Sequence, residues 1–77
     1  MKQLLELIIT KALPEGTEFE ITETSNDRGE IVFELKLPDE FKGKIIGKQG
    51  RNINAIRQVI GILARSQDQR VQVEVLD

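Results

Sequence analysis

The sequence predicts an α+β domain in which three helices cover one face of a three-stranded mixed sheet, in the order helix, strand, strand, short helix, long helix, strand. Three observations carry that prediction. Apolar residues recur at helical spacing near the start of the chain and again over residues 51–65, and they alternate with polar residues in three short runs. Clusters of turn-forming residues separate these segments. With 77 residues the chain makes a single domain over 1–77, and a domain this small buries only about 60% of the surface its unfolded chain exposes.

Met1, Leu4, Leu5, Ile8, Ala12 and Leu13 lie at helical spacing and the pattern stops at Pro14 and Gly16, which predicts an amphipathic helix over residues 2–12. From Thr17 to Thr24, Phe19 and Ile21 alternate with Glu18, Glu20 and Thr22, the period of a strand whose acids mark a wet face. Ser25-Asn26-Asp27-Arg28-Gly29 is a cluster of turn formers. Beyond it Ile31, Phe33, Leu35 and Leu37 alternate with Val32, Glu34 and Lys36, completing a hairpin.

Leu37-Pro38-Asp39-Glu40 then opens a short helix, with proline in a first-turn position and acids at the positive end of the helix dipole. Phe41 and Ile45 share a face of it. After Gly47-Lys48-Gln49-Gly50, the stretch Arg51 to Arg65 contains no proline and places Ile53, Ile56, Ile60, Leu63 and Ala64 on one face, the longest helix. Ser66-Gln67-Asp68-Gln69 connects it to a final strand in which Val71, Val73 and Val75 alternate with Gln72 and Glu74. The hairpin strands are antiparallel, and a right-handed crossover lets the last strand lie parallel to the second. The expected core is Ile8, Phe19, Ile21, Phe33, Leu35, Ile56, Ile60, Val73 and Val75.

Composition narrows the function. The chain has no cysteine and no histidine, which excludes a thiol nucleophile, a disulfide, a Ser-His or Cys-His pair and an ordinary zinc site. Its carboxylates mostly alternate on wet strand faces with no converging base, so we expect a non-enzyme without a cofactor or a metal. No apolar run approaches the roughly 20 residues a membrane-spanning helix needs, and Glu6 interrupts the stretch where a signal peptide would stay apolar. A cytoplasmic protein with no membrane partner is expected.

The net charge of −2 conceals a partition. Residues 1–41 carry four bases against ten acids, whereas residues 42–67 carry six bases (Lys42, Lys44, Lys48, Arg51, Arg57, Arg65) and no acid. A local positive patch on an acidic protein attracts phosphates while the remaining surface discourages non-specific binding; a solvated basic helix face has the same composition. The patch coincides with two glycines three apart between two helices. Glycine lets the chain turn sharply and lets a phosphate approach the backbone, and the amides of Gly50 and Arg51, at the start of the long helix, are expected to be unpaired and to favour an anion. Lys48 and Arg51 add full charge there. A P-loop does not fit, because Gly43 and Gly47 are separated by three residues and Gln49 follows the lysine; a Rossmann fingerprint fails because helix joins helix.

Ile46-Gly47-Lys48-Gln49-Gly50-Arg51-Asn52-Ile53 resembles the I-G-x-x-G-x-x-I core of KH domains. A helix and hairpin before that core, with one strand after it, resemble the type II KH arrangement, and the length and the run from Gly43 to Arg51 resemble the small stand-alone bacterial KH proteins of the KhpA group. The resemblance implies that Gly47 and Gly50 let the loop backbone meet single-stranded RNA, a family property in which the G-x-x-G loop clamps about four nucleotides. It implies that Lys48 and Gln49 project toward the phosphates, that Lys44 and Arg51 flank them, and that Arg57 extends the contact along the helix. Ile45, Ile46 and Ile53 match the apolar groove positions, Ile53 doubling as core, and Asn54 is placed to reach a base or sugar. Phe19, Phe33 and Phe41, the only aromatic residues, are all expected in the core, so stacking platforms are absent and the binding expected is weak, short in footprint and undiscriminating.

The implied role is a post-transcriptional regulator or RNA chaperone, with a protein-interaction module that binds RNA poorly as the competing class. Ala55, Val59 and Ile62 make the long helix apolar beyond its core face, and Gly61 permits close approach of another backbone. Either the first helix covers that surface or a partner does. The resemblance, to a group of dimer formers, favours a homodimer, or a heterodimer with a second KH-containing protein, through Val59, Gly61 and Ile62.

Overall fold

The computed structural model describes residues 1–76. Its elements are α1 (Lys2–Ala12), β1 (Glu20–Ser25), β2 (Ile31–Lys36), α2 (Asp39–Ile46), a one-turn 3₁₀ segment (Lys48–Gly50), α3 (Arg51–Ser66) and β3 (Val71–Val75). The three strands form one sheet in the order β1-β2-β3, with β1 antiparallel and β3 parallel to β2.

Local chemistry explains the boundaries. Leu13 leaves α1 in extended conformation, as expected for the residue before a proline, and Thr17 folds back on Pro14, its amide and hydroxyl both donating to the Pro14 carbonyl. That turn keeps Thr17, Glu18 and Phe19 out of the sheet, so β1 begins three residues later than the alternation suggests. Pro38 precedes α2 rather than sitting inside it, and its carbonyl accepts from the Phe41 amide. At the far end of α3 the amides of Gln67, Asp68 and Gln69 all fold back onto the carbonyls of Ala64 and Arg65. Asp68 takes a left-handed φ of 57°, which swings the chain into β3.

The core joins Leu5, Ile9 and Leu13 of the first segment to Phe33, Leu35 and Leu37, to Ile45, to Ile53, Ile56 and Ile60, and to Val73. Each such aliphatic side chain stabilises the fold by about 1.5–3 kcal/mol through the apolar surface it withdraws from water. Several expectations change here. In α1 the fully buried positions are Leu5 and Ile9, while Ile8 is half-buried and Ala12 exposed. Phe19, Ile21, Val75 and Phe41 pack against the core but remain partly accessible, because Phe19 precedes the sheet, β1 and β3 are edge strands and α2 is short. Val32 points away from the helices yet is buried; it sits on the central strand with Thr24 on one side and Gln72 on the other. Glu23, in register with Phe33, lies on the helical face but is exposed.

The open face of the sheet is acidic. Thr22, Glu34 and Glu74 align across the three strands, with the two glutamates in parallel register, a like-charge pairing that costs a few tenths of a kcal/mol. No helix among the described residues is long and apolar enough to cross a membrane.

Candidate functional site

The segment between α2 and α3 is shaped by its glycines. Gly47 has φ 76° and ψ 172°, a region open in practice to glycine alone. Its amide closes α2 on the Gly43 carbonyl at 2.8 Å, and its carbonyl accepts from the Gly50 amide at 3.1 Å. Gly50 is left-handed (φ 76°, ψ 13°) and turns the chain into α3. Gln49, between them, is also left-handed (φ 57°, ψ 25°), which costs an ordinary residue about 1–2 kcal/mol. Strain of this kind persists where the surroundings fix the backbone, and it concentrates at ligand-binding sites.

Asn52 supplies the fixing. Its side-chain Nδ2 donates to the Lys44 carbonyl at 2.9 Å, tying the first turn of α3 to the last turn of α2. The same side chain lies against Gly47, where an added Cβ would fall 2.6 Å from Asn52 Cγ. Gly47 is therefore required twice, for its dihedral angles and for space. Sequence reasoning passed over Asn52, because a polar residue in the first turn of a helix ordinarily needs no tertiary explanation; its offset of two from the second glycine was the available signal.

With the backbone held, Lys48 and Gln49 form an exposed tip, with Arg51 exposed beside it and Lys44 exposed on α2. Lys44 Nζ lies 5.8 Å from the centre of the Phe41 ring. One expectation about the loop is overturned: the amide of Gly50 donates to Gly47 and that of Arg51 to Lys48. Those two groups are consumed by the 3₁₀ turn, so positive character at the tip comes from the side chains.

The structure separates the isoleucines. Ile45 is 1% and Ile53 5% exposed, both core residues with no surface for a base, whereas Ile46 is 36% exposed. Beyond the loop, Arg57 donates from Nε to the Val73 carbonyl at 3.0 Å, closing the outer edge of β3, and approaches Asn54 Oδ1 at 3.5 Å. Arg57 and Asn54 thus share the α3 flank that faces β3. The only ion pair among the described residues is Lys42 with Asp39 at 2.8 Å, so Lys44, Lys48, Arg51, Arg57 and Arg65 have no carboxylate partner. The lysine at that pair holds the Asp39 carboxyl below its ordinary value, first through the hydrogen bond and then through its charge.

The surplus apolar surface is settled in part. Ile8 and Ala12 of α1 meet Ala55 and Ile56 of α3 around a small cleft. Further along the helix Val59 and Ile62 remain 44% and 59% exposed. Gly61 has a negative φ and no backbone within 4 Å of an added Cβ, only the Arg65 guanidinium at 3.6 Å. Nothing inside the chain demands glycine there, although it costs a helix interior about 1 kcal/mol relative to alanine.

No solved structure matches the chain. Its sequence is 42% identical over 76 residues to the RNA-binding protein KhpA of Clostridium acetobutylicum, covering 99% of this chain and 100% of that protein. It is 36% identical to the RNA-binding protein KhpA of Clostridium perfringens, with the same coverage of both chains. It is 30% identical to the RNA-binding protein KhpA of Aquifex aeolicus, covering 100% of this chain and 96% of that one. The family described as KhpA/KhpB, KH domain matches residues 2–75. A match over that span, on a helix and hairpin placed before the glycine loop, shows that the chain belongs to the KhpA/KhpB KH-domain family in its type II, α-β-β-α-α-β form.

Proposed function

We propose that the chain binds single-stranded RNA without catalysis, through the Gly47–Gly50 loop, and serves as a post-transcriptional regulator or RNA chaperone. The observation that carries this reading is the buttressed loop itself. Two glycines and a strained Gln49 are held by Asn52 so that Lys48 and Gln49 form a fixed, exposed tip among bases that no carboxylate neutralises among the described residues. A preformed tip of this kind meets a phosphate backbone without first losing conformational freedom. The relatives named as RNA-binding proteins support the same reading. Arg51 and Lys44 flank the contact, Ile46 offers the apolar surface, and Asn54 and Arg57 continue it along α3. Ile45 and Ile53 support the groove from beneath.

Anisotropy of labelled single-stranded RNA pools at two salt concentrations tests this, with duplex RNA and single-stranded DNA as controls. Wild type binds at micromolar concentration and weakens as salt rises, and a folded Lys48→Asp/Gln49→Asp variant loses binding. Equal binding by the variant removes the loop from the mechanism.

The exposure of Val59 and Ile62 supports a second reading alongside the first: self-association, or pairing with another KH-containing protein, through the flank of α3 that α1 leaves uncovered. Analytical ultracentrifugation of wild type and Ile62→Asp decides it. A wild type that sediments as a monomer at high concentration removes self-association, leaving only the heterologous pairing.

A further inference from the structure

Beyond the loop, α3 carries a second basic feature that shares only Arg57 with the loop contact. Side chains on a helix advance by about 100° per residue, which places Asn54, Arg57, Gly61 and Arg65 along one flank. The Arg57 bond to the Val73 carbonyl turns that flank toward β3. Val59 and Ala55 lie on the opposite flank. Between Arg57 and Arg65 the surface forms an open depression lined by Arg57, Gln58, Gly61, Ile62 and Arg65. Its floor is Gly61, a glycine that helix propensity disfavours and that no backbone contact requires; the Arg65 guanidinium lies over it, 3.6 Å from where a Cβ would stand, and would swing aside as a chain enters. Its two arginines have no carboxylate partner among the described residues. From Gly50 to Arg65 the helix rises about 22 Å, well beyond the reach of a contact confined to the loop.

We propose that this depression is a second phosphate subsite, in which the sugar–phosphate backbone of single-stranded RNA crosses α3 over Gly61 between the guanidinium groups of Arg57 and Arg65. The proposal rests on the RNA-binding reading of the loop and extends its footprint. An anion is the occupant that suits the site: two uncompensated guanidiniums flank it, and a protein surface approaching closely would desolvate both charges. The missing side chain at residue 61 lets a bulky sugar–phosphate chain lie low enough for both arginines to reach it, a close approach that any β-carbon would obstruct. Arg57 is the fixed member, held by Val73, and Arg65 the adjustable one.

The experiment compares labelled single-stranded RNAs of about four and about ten nucleotides across a salt series, using wild type, Arg65→Gln, Gly61→Ala and Lys48→Asp/Gln49→Asp, with thermal melts of each. Wild type binds the longer RNA with the steeper salt dependence. Arg65→Gln weakens the longer RNA several-fold, flattens its logarithmic salt slope by about 0.7, the value of one released phosphate contact on a single strand, and leaves the shorter RNA unchanged. Gly61→Ala melts higher than wild type while binding the longer RNA less well, a combination that a merely structural glycine does not produce. Equal binding of the longer RNA by wild type and Arg65→Gln overturns the proposal, as does an equal loss on both lengths. A Gly61→Ala protein that changes its sedimentation but not its RNA affinity overturns it too and assigns Gly61 to a protein interface. Failure of the loop reading is separate: the loop variant then binds the shorter RNA as well as wild type does.

Discussion

Two turns in this molecule use glycine at nearly the same φ for different reasons. In the hairpin turn between β1 and β2, Gly29 has φ 79° and an added Cβ there meets nothing within 4 Å. The backbone of the turn is held by its own atoms: Asn26 Oδ1 accepts from the amides of Arg28 and Glu30, each at 3.0 Å, and its Nδ2 donates to the Glu30 carboxylate at 2.8 Å, which from outside the turn also accepts from Gln72 Nε2 at 3.0 Å. In the loop between α2 and α3, Gly47 has φ 76° but lies against Asn52, which bonds across to Lys44. A turn that only reverses the chain can be built locally, since its tip has nothing to meet. A turn that must present a fixed tip has its buttress outside the tip, and its glycine becomes part of a joint between two helices.

That contrast orders the expected effects. Gly47→Ala is the most damaging, at about 2–4 kcal/mol, because it adds backbone strain to a clash that a hydrogen-bonded neighbour cannot escape cheaply. Gly29→Ala carries the strain alone, about 1 kcal/mol. Chemical denaturation of the two variants measures the gap directly, and equal losses would erase the distinction between the turns. A double variant sharpens it further. Asn52→Ala removes two of the three atoms that crowd position 47, so Gly47→Ala/Asn52→Ala should lose less stability than the sum of its parts, with a coupling of about 0.5–2 kcal/mol.

The asparagines differ in the same way. Asn26→Ala removes a locally closed turn with two backbone bonds and should cost about 1–2 kcal/mol of global stability. Asn52→Ala removes one exposed bond and should cost only about 0.5–1 kcal/mol. Its larger consequence is local, because the tip loses its fixed geometry. Hydrogen exchange therefore speeds at Lys48 to Gly50 in Asn52→Ala by more than its global stability loss accounts for, whereas Asn26→Ala shows no such excess at its own turn.

Most of the architecture is legible in the sequence because each element carries its own signal. The start and stop of α1, the hairpin and the glycine pair are all read from residues within the element concerned. The departures arise where a neighbour decides. Leu4, Leu5, Ile8 and Ile9 form adjacent apolar pairs, so periodicity finds the helix but cannot say which of Ile8 and Ile9 points inward; the docking angle of α1 selects Ile9. Val32 has the parity of a wet-face residue and is buried because β2 is central. The composition of the candidate site is legible too, yet its support is not. The partner of Asn52 is the backbone of Lys44, eight residues back, and a carbonyl oxygen leaves no mark in a sequence. The pairing of the Gly50 and Arg51 amides is hidden for a related reason: the 3₁₀ turn that consumes them forms only when Gly47 and Gln49 take left-handed or glycine-only conformations together.

The smallest expected effect concerns acid, and it lies on the loop side of the comparison. Asp39, at the start of α2, bonds Lys42 at 2.8 Å while its side chain stays 94% exposed. The lysine lowers the carboxyl pKa from the ordinary 3.8. A carboxylate lowered on folding contributes stability that is present above its ordinary pKa and is lost as pH falls through the lowered one. Solvent screens so exposed a pair, and the contribution is correspondingly slight. Wild type should therefore melt marginally above Asp39→Asn at neutral pH, the margin closing with added salt and again as acid protonates the lowered carboxyl. The margin should be the same in an Asn26→Ala background, since the hairpin turn shares no atom with the pair. A change there would mean that the two turns are coupled through the sheet, and the separation of local from buttressed turns would have to be redrawn.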